Sequence, residues 1–348
     1  MLLPEFAPQS GVIITWPHAH SDWKDRLAAI EPVYLSIARA ISTREALLIL
    51  VRDETHREHV RQLLTASGIA GGNIHLVHIP SNDTWVRDYG PLVAAVAGQL
   101  QIHDYTFNAW GGKYAASLDD EITAQLQRDG WFGELPYYRH DLVLEGGSID
   151  VDGAGTLLTT TRCLLAPTRN PGLGKAGLEA HFRQQLGIDR VLWIEHGELA
   201  GDDTDAHVDM LARFCDAGTI AYTQCTDPAD RHYASLSAME QQIREFRTRD
   251  GAHYRLAPLP IPAPIYAASG QRLPASYANF LIINGAVLLP VYDDPADAVA
   301  QRTLADCFPD RTIVAVPCRA LIEQYGSLHC ATMQLPAGVL SALTGAEQ

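Results

Sequence analysis

The sequence predicts an α/β protein built from one repeated structural unit. Short runs of branched apolar residues, each the length of a β-strand, alternate with segments of helical periodicity, as is typical of α/β folds. No linker divides the chain, because its most Pro-rich stretch, Pro258 to Pro264, lies between regions of similar composition and is interpreted as a loop. Polar, strand-like segments also return five times, which indicates a radially repeated domain.

Eight apolar runs are predicted to be strands, because each is short and rich in β-branched residues. They are Val12 to Ile14, Ala46 to Val51, Ile74 to Ile79, Leu157 to Thr161, Val191 to Ile194, Phe280 to Ile283, Ala286 to Val291 and Ile313 to Val316. Helical periodicity predicts four helices. They are Asp25 to Ile41, Thr55 to Ser67, Lys175 to Leu186 and Pro295 to Cys307.

The five polar returns lie at about residues 83–93, 145–160, 207–221, 279–291 and 325–335. Their comparable spacing favours a single domain over residues 1–348 rather than several separate ones. The motif GxGxxG at Gly172 to Gly177 does not change this interpretation. A dinucleotide-binding loop leaves a strand directly, whereas here a Pro-containing segment intervenes, so the motif is interpreted as an ordinary helix start.

Composition and charge exclude several classes of protein. Hydrophobic residues make up 47% of the chain and charged residues 19%, which is normal for a globular protein and unlike a disordered one. The net charge of -15 disfavours nucleic acid and anionic membranes as partners. It permits a cationic ligand, although such a charge also serves solubility alone. No apolar run approaches the roughly 20 residues of a membrane span.

The six cysteines predict a reduced, cytoplasmic protein. None lies in a CxxC pair, so a zinc ribbon or a thioredoxin-type motif is absent from the sequence. The amino-terminal residues MLLPEFAPQSG lack the charged start and apolar run of a signal peptide. A homo-oligomeric assembly is compatible with this interpretation.

The first candidate functional residues lie in the segment from Asp205 to Phe214, which is predicted to be a strand. Residues two apart on a strand share a face, so His207 and Asp209 are expected to project together. An imidazole beside a carboxylate suits proton transfer, substrate binding or metal binding. The alternative is a structural polar pair at a strand end.

Two tryptophans and a carboxylate suggest a cation site. Asp88 lies close to Trp85 in a polar segment, and Trp110 precedes two glycines. An aromatic face beside negative charge attracts cations. The alternatives are a helix cap or ion pair for Asp88 and a core position for Trp110.

Glu145 and Cys330 complete the set of candidates. Glu145 follows an apolar run, where a buried carboxylate is costly unless it is paired. Cys330 follows a flexible turn, and a thiol nucleophile requires a histidine partner. The adjacent His329 is a poor partner, because neighbours on a strand face opposite sides. A buried, inert cysteine is the alternative.

Seven segments, taken in order, carry a resemblance to a known family. They are Thr15 to Pro17, Asp83 to Asp88, Phe107 to Gly112, Glu145 to Ser148, Asp203 to Asp209, Tyr277 to Phe280 and Ser327 to Cys330. Together they resemble the agmatine deiminase family, also called the Porphyromonas-type peptidyl-arginine deiminase family. The resemblance extends from residue 4 to about residue 336 and implies the pentein fold, a five-bladed pseudosymmetric α/β propeller.

The resemblance also implies roles for five residues. Cys330 is the expected nucleophile, His207 the acid/base and Glu145 the residue that orients His207. Asp88 and Asp209 are expected to hold the guanidinium, and Trp85 and Trp110 remain candidates for walls of the site from the residue pattern alone. The expected reaction is hydrolysis of agmatine to N-carbamoylputrescine and ammonia, with no metal and no organic cofactor.

The chain departs from the family at two places. Ala206 stands where glycine is usual, and Tyr325 to Leu328 replaces a glycine-rich run. A deiminase acting on arginine, peptidyl-arginine or another guanidine is therefore an alternative. A metallohydrolase with His207, Asp209, Asp88 and Glu145 as ligands is a second, and a non-catalytic polyamine-binding protein a third.

Overall fold

The computed structural model describes residues 1–340, which form five β-sheets joined by helices and loops. The strands are β1 (Gln9–Thr15), β2 (Ala46–Val51), β3 (Ile74–His78), β4 (Leu92–Val96), β5 (Gln99–Thr106), β6 (Tyr137–Val143), β7 (Ile149–Val151), β8 (Thr156–Thr160), β9 (Arg190–Ile194), β10 (Ala212–Asp216), β11 (Thr219–Gln224), β12 (Arg255–Pro260), β13 (Leu281–Ile283), β14 (Ala286–Val291), β15 (Thr312–Pro317) and β16 (Thr332–Pro336).

One topology recurs in all five sheets: an antiparallel strand pair is followed by a parallel pair. Four sheets have three strands each, in the orders β4-β5-β6, β7-β8-β9, β10-β11-β12 and β13-β14-β15. The fifth has the order β16-β1-β2-β3. In it β16 pairs antiparallel with β1, and β1 pairs parallel with β2. The first and last strands of the described chain thus complete the fifth unit.

Helices carry the parallel connections, which a tight hairpin turn cannot make. The main helices are Leu27–Ser42, Glu54–Ala66, Ile122–Arg128, Lys175–His181, Tyr233–Glu245 and Asp297–Cys307. A π-helical segment spans Phe182–Leu186. Short helical turns are Val86–Tyr89, Ala109–Gly112, Asp119–Glu121, Gly146–Ser148, Thr161–Leu164, Val208–Met210 and Leu321–Gln324.

The predicted α/β class and repeat agree with this topology. Each of the eight predicted strands overlaps an observed one, and the four predicted helices are present. Two crossover helices were not predicted, Ile122–Arg128 and Tyr233–Glu245. The first has only seven residues, and the second buries only Leu236, Met239 and Ile243, so their hydrophobic periodicity is weak.

The predicted strand from Asp205 to Phe214 is wrong over its first half. Asp205 and Ala206 have φ angles of 67° and 66°, in the left-handed region that a β-strand cannot contain. One turn of 3₁₀-helix, Val208–Met210, follows, and β10 begins only at Ala212. His207 and Asp209 therefore share a direction because of this turn, and not through strand alternation.

A connected cluster of buried apolar side chains links the five sheets. Several strands, including β8 and β13, are buried along their whole length, as expected for sheets covered on both faces. Within residues 1–340, no helix has both the length and the apolar character needed to cross a lipid bilayer.

Candidate active site

The segment before the first strand of each antiparallel pair either lines one pocket or contacts a residue that lines it. Asp88 precedes β4, Gly147 precedes β7, Asp209 precedes β10, Asn279 precedes β13 and Cys330 precedes β16. The Gly147 amide nitrogen is 2.8 Å from Oδ1 of Asp88. The Cys330 sulfur is 3.3 Å from Nδ2 of Asn279 and 3.7 Å from Oδ2 of Asp209. All five repeated units thus supply residues to the same place.

The pocket has an empty volume of about 500 Å³ and is strongly acidic. Its lining carboxylates are Asp22, Asp83, Asp88, Asp202, Asp203 and Asp209, and its lining aromatics are Trp85, Trp110, Tyr114 and Tyr325. Among the residues that line it, all within the described part of the chain, there is no lysine or arginine. The charge of the lining therefore favours a cation.

Asp88 is fixed by two hydrogen bonds on the buried side of the pocket. Trp110 donates from Nε1 to Oδ2 at 2.9 Å, and the Gly147 amide donates to Oδ1 at 2.8 Å. Burial raises the pKa of Asp88 to about 6, against the opposing effect of nearby His207. The carboxylate is therefore held in one orientation, and the nearby His207 only partly offsets the effect of burial on its pKa.

Asp209 has one paired and one unpaired oxygen. Its Oδ2 accepts a hydrogen bond from Nδ1 of His329 at 2.8 Å, whereas its Oδ1 is buried without a hydrogen-bond partner. Although burial acts to raise it, the pKa of Asp209 is lowered because His329 pairs with the carboxylate. A buried, unpaired oxygen is costly and is a feature of binding sites that await a donor.

His207 lies between two carboxylates at the end of the pocket. Its Nδ1 is 3.6 Å from Oδ1 of Asp88, and its Nε2 is 3.8 Å from Oε2 of Glu145. Burial acts to lower its pKa, but Asp88, the Cys163 sulfur and Glu145 together raise it well above the usual value. The imidazole is therefore suited to holding a proton.

Glu145 is completely buried and paired with an arginine that the sequence did not single out. Arg169 donates from Nε to Oε1 at 2.9 Å, and its own Nη2 donates to the Thr204 carbonyl at 2.9 Å. Despite burial, the pKa of Glu145 is lowered by His207 and Arg169. Arg169 thus fixes the carboxylate whose other oxygen faces His207.

Cys330 lies at the buried end of the pocket, 7% exposed. Its Sγ is 3.3 Å from Nδ2 of Asn279 and 3.7 Å from Oδ2 of Asp209. Burial and the charges of Asp209 and Asp88 raise the pKa of the thiol well above its usual value. A cation bound between these carboxylates would reverse this effect and favour the thiolate.

Gly147 permits the close approach of three functional side chains. A Cβ atom there would lie 2.7 Å from Nδ1 of His207, 2.8 Å from Oδ1 of Asp88 and 3.0 Å from Oδ2 of Asp209. Any side chain would therefore occupy the space between the two aspartates and the histidine.

Trp85 and Trp110 both line the pocket and are also buried, at 5% and 6% exposed. Trp110 has a positive φ of 55° and orients Asp88, a role that the sequence did not indicate. Trp85 packs against Gly326, where a Cβ would lie 2.4 Å from its ring. The glycine of the divergent loop from Tyr325 to Leu328 is thus required for this contact.

Three ligand atoms within 4.8 Å of one another belong to Glu145, Cys163 and His207. This group differs from the set expected for a metallohydrolase, because Cys163 replaces Asp88 and Asp209. Arg169 already neutralises Glu145, and we assign no metal to these side chains.

Sequence reasoning missed several residues that contact the site. Asn279 belonged to a recognised motif but had no role, and Arg169, His329 and Glu5 were not proposed as functional. Each contact joins residues far apart in the chain; His329 and Glu5 are 324 positions apart. No local pattern encodes such contacts.

A buried thiol, an imidazole and several carboxylates at the end of an acidic pocket define the class of protein, a hydrolase that acts on a cationic substrate. Residues 1–336 match the family of Porphyromonas-type peptidyl-arginine deiminases, and the chain belongs to this family.

Relatives resemble the chain over nearly its whole length. The agmatine deiminase of Stutzerimonas stutzeri is 35% identical, over 96% of this chain and 94% of its own. A cysteine-to-serine variant of the C. jejuni agmatine deiminase, solved with substrate bound, is 34% identical, with a TM-score of 0.89 and coverage of 96% and 95%. A Porphyromonas gingivalis protein described as a candidate arginine deiminase is 45% identical, with a TM-score of 0.90 and coverage of 97% and 98%.

Proposed function

We propose that this protein hydrolyses agmatine to N-carbamoylputrescine and ammonia, with Cys330 as the nucleophile. The observation that carries the proposal is the convergence of Cys330, His207, Glu145, Asp88 and Asp209 at the buried end of one acidic pocket. The similarity to agmatine deiminases supports the same chemistry.

The charge of the pocket favours agmatine over arginine. Agmatine carries a guanidinium at one end and an ammonium at the other, and the pocket offers six carboxylates. Arginine adds a carboxylate that would require a cationic partner. Lys113, beside the pocket, is already paired with Asp205 at 3.3 Å and with the Asp203 carbonyl.

The guanidinium is held by Asp88 and Asp209. A guanidinium is planar and has five N–H donors, which carboxylates bind through paired hydrogen bonds. Unpaired Oδ1 of Asp209 supplies one acceptor, and Asp88 supplies a second on the side of His207. The central carbon is then open to Cys330, whose sulfur lies beside Asp209.

Binding of the cation activates the thiol. Burial and the nearby negative charges raise the pKa of Cys330; the guanidinium neutralises those charges, so the thiol releases its proton to solvent and the thiolate forms when substrate is present. Its sulfur attacks the guanidinium carbon and forms a C–S bond, giving a tetrahedral adduct. His207 protonates one terminal nitrogen, the C–N bond breaks, and ammonia leaves a thiouronium bound to Cys330.

Water completes the reaction. His207, now neutral, accepts a proton from water, which attacks the same carbon. The C–S bond breaks, the proton of the added hydroxyl passes to the departing sulfur, and Cys330 is regenerated as the thiol while the neutral urea product departs. Nδ1 of His207 faces Asp88 and therefore the substrate, while Nε2 faces Glu145, which Arg169 holds in place. Glu145 thus orients and stabilises the imidazolium.

The five sheets are proposed to surround the pocket as blades of one single-domain propeller. The repeated topology and the contribution of each unit to the pocket support this arrangement. A cytoplasmic location is proposed as well, since all six cysteines are unpaired.

Ammonia release from agmatine, arginine and a blocked arginine peptide tests the proposal. Turnover of agmatine, with little or none of the other two, is expected for the wild type. Cys225→Ala, which alters a buried cysteine outside the pocket, should remain active, whereas Cys330→Ala should not. Release from arginine or peptide but not from agmatine would contradict the proposed substrate.

A further inference from the structure

His329 lies behind Asp209, on the side away from the pocket, between two buried carboxylates. Its Nδ1 is 2.8 Å from Oδ2 of Asp209, and its Nε2 is 2.7 Å from Oε2 of Glu5. A neutral imidazole has only one N–H, so one of these contacts would place a lone pair against a carboxylate oxygen. Hydrogen bonds from His329 to both carboxylates require a proton on each ring nitrogen, that is, an imidazolium.

Glu5 holds His329 in this position as part of a larger network. Oε2 of Glu5 is also 3.1 Å from Nη2 of Arg213 and 3.3 Å from Nη2 of Arg87. Arg213 in turn pairs with Asp150 at 3.1 Å. We call Glu5, Arg87, Asp150, Arg213 and His329 the ion-pair layer.

The side chains of the ion-pair layer are buried. Each of its five members is at least nine-tenths buried, and each charge has an opposite charge in contact. Such a network is rigid, because moving one member leaves its partners unpaired in a low-dielectric interior. Its only link to a pocket carboxylate at hydrogen-bond distance, among the described residues, is the contact from His329 to Asp209.

We propose that His329 is a positioning residue, a role that rests on the proposed function. Anchored by Glu5, it fixes Asp209 through Oδ2 and leaves Oδ1 ionised and free to receive the guanidinium. It touches neither substrate nor sulfur in this mechanism. Its effect on catalysis passes entirely through Asp209.

The surroundings of Asp209 make this charge necessary. On the pocket side, Asp209 faces the Asp88 carboxylate, His207, Asn279 and the Cys330 sulfur. On the opposite side His329 contacts Asp209, and Arg213 lies further into the ion-pair layer. Without the imidazolium, a buried carboxylate beside a second one would take up a proton more readily. A protonated Asp209 would bind the guanidinium poorly.

Two substitutions separate the two contacts of His329. The amide of His329→Asn reaches about as far as Nδ1 and keeps a neutral donor to Asp209. The amide of His329→Gln reaches about as far as Nε2, so it contacts Glu5 and leaves Asp209 without a partner. His103→Asn is the matched control, because His103 is a buried histidine paired with His140 at 3.0 Å, outside the pocket.

The affinity for agmatine is measured first, by calorimetry in a Cys330→Ala background that prevents turnover. His329→Gln should weaken binding by about a hundredfold and His329→Asn by about tenfold, whereas His103→Asn should leave it unchanged. The partial rescue by asparagine distinguishes positioning of Asp209 from a general loss of packing.

The pH profile of kcat/KM is measured next, with Cys330 intact. The acid limb of His329→Asn should move to higher pH by about one unit or more, because Asp209 loses an opposite charge within hydrogen-bond distance. Unchanged affinity and an unchanged acid limb in an active enzyme would contradict the role of His329 alone. A wild type that neither binds nor hydrolyses agmatine would contradict the proposed function, and this role with it.

Discussion

Two equally buried carboxylates, Asp88 in the pocket and Glu5 in the ion-pair layer, are in opposite electrostatic states. Asp88, in the pocket, has a pKa raised to about 6 by burial. Glu5, equally buried in the layer, has a lowered pKa, because Arg213, His329 and Arg87 overcome the effect of burial. Ionised Glu5 thus stabilises the fold, whereas ionised Asp88 destabilises it.

The difference shows how the protein separates binding from stability. The layer satisfies its charges internally, and the pocket leaves acceptors such as Oδ1 of Asp209 without partners. Sites that bind a charged substrate tightly are expected to be incompletely paired before it arrives. Substitutions in the pocket should therefore affect mainly activity, and those in the layer mainly stability, with His329, which contacts Asp209, affecting both.

Asp88→Asn tests the pocket side of this comparison and should have the largest effect. Loss of one carboxylate from the guanidinium site should reduce kcat/KM by about a thousandfold. Stability should change by less than about 1 kcal/mol at pH 7, because relief of the buried charge offsets one lost hydrogen-bond acceptor.

The pH dependence of that stability has a defined sign. The folded-state pKa of Asp88, about 6, exceeds its usual value of 3.8, so its stabilising contribution is complete below pH 3.8 and lost by about pH 6. Thermal denaturation from pH 4 to 7 should thus show the melting temperature of Asp88→Asn rising relative to that of the wild type as the pH increases. A variant with normal kcat/KM would contradict the assignment of Asp88.

Glu5→Gln tests the ion-pair layer. Removing its charge leaves Arg213, Arg87 and His329 short of a partner, so the free energy of unfolding should fall by about 3 kcal/mol at pH 7. Because the pKa of Glu5 is lowered on folding, this difference should shrink below about pH 4, where the unfolded chain is protonated.

Chemical denaturation measures this loss directly. Glu58→Gln is a suitable control, since Glu58 is exposed and its pair with Arg61 is on the surface. Equal, small effects of the two substitutions would show that the layer does not stabilise the fold.

Gly147→Ala tests whether the pocket depends on close approach rather than on charge alone. The added methyl group would displace His207 or the two aspartates, so kcat/KM should fall by about a hundredfold. Gly72→Ala, at a position with open space around it, should have normal activity. Normal steady-state kinetics for Gly147→Ala would mean that the three side chains do not act together.

Ala206→Gly should have the smallest effect, and a favourable one. Ala206 has a φ of 66°, which costs a residue with a side chain about 1 kcal/mol relative to glycine. Glycine should raise the melting temperature slightly while kcat/KM for agmatine stays within about twofold, since Ala206 holds only backbone geometry. A large loss of activity would indicate that the methyl group contacts the substrate.

The repeated fold was accessible from the sequence because local patterns encode it. Runs such as Ala46–Val51 and Ala286–Val291 are apolar enough to be strands in any context, and all five polar returns directly precede or span an observed antiparallel pair. The turn at Asp205 and Ala206 could not be predicted from the sequence. Left-handed backbone at two non-glycine residues is imposed by tertiary contacts, including the hydrogen bond from the Thr160 hydroxyl to the Ala206 carbonyl and the ion pair between Arg169 and Asp205.

The residues of the candidate site likewise divide into those that the sequence identified and those that only the fold reveals. The family resemblance identified Cys330, His207, Glu145, Asp88 and Asp209, and the structure brings these five together. The residues that set their charge and orientation, such as Arg169 and His329, are encoded by contacts across the fold. On the sequence alone, His329 is excluded as the histidine partner of Cys330, and in the structure His329 pairs with carboxylates instead. Its contact with Asp209 could not be predicted from the sequence.

The most direct test of the mechanism is mass spectrometry of the intact protein after acid quenching during agmatine turnover. The account predicts an adduct with the mass of agmatine less one ammonia, located on the peptide that contains Cys330. Cys225→Ala should form the same adduct and Cys330→Ala none. Turnover without a covalent adduct on Cys330, or with full activity in Cys330→Ala, would contradict the assignment of this cysteine as the nucleophile.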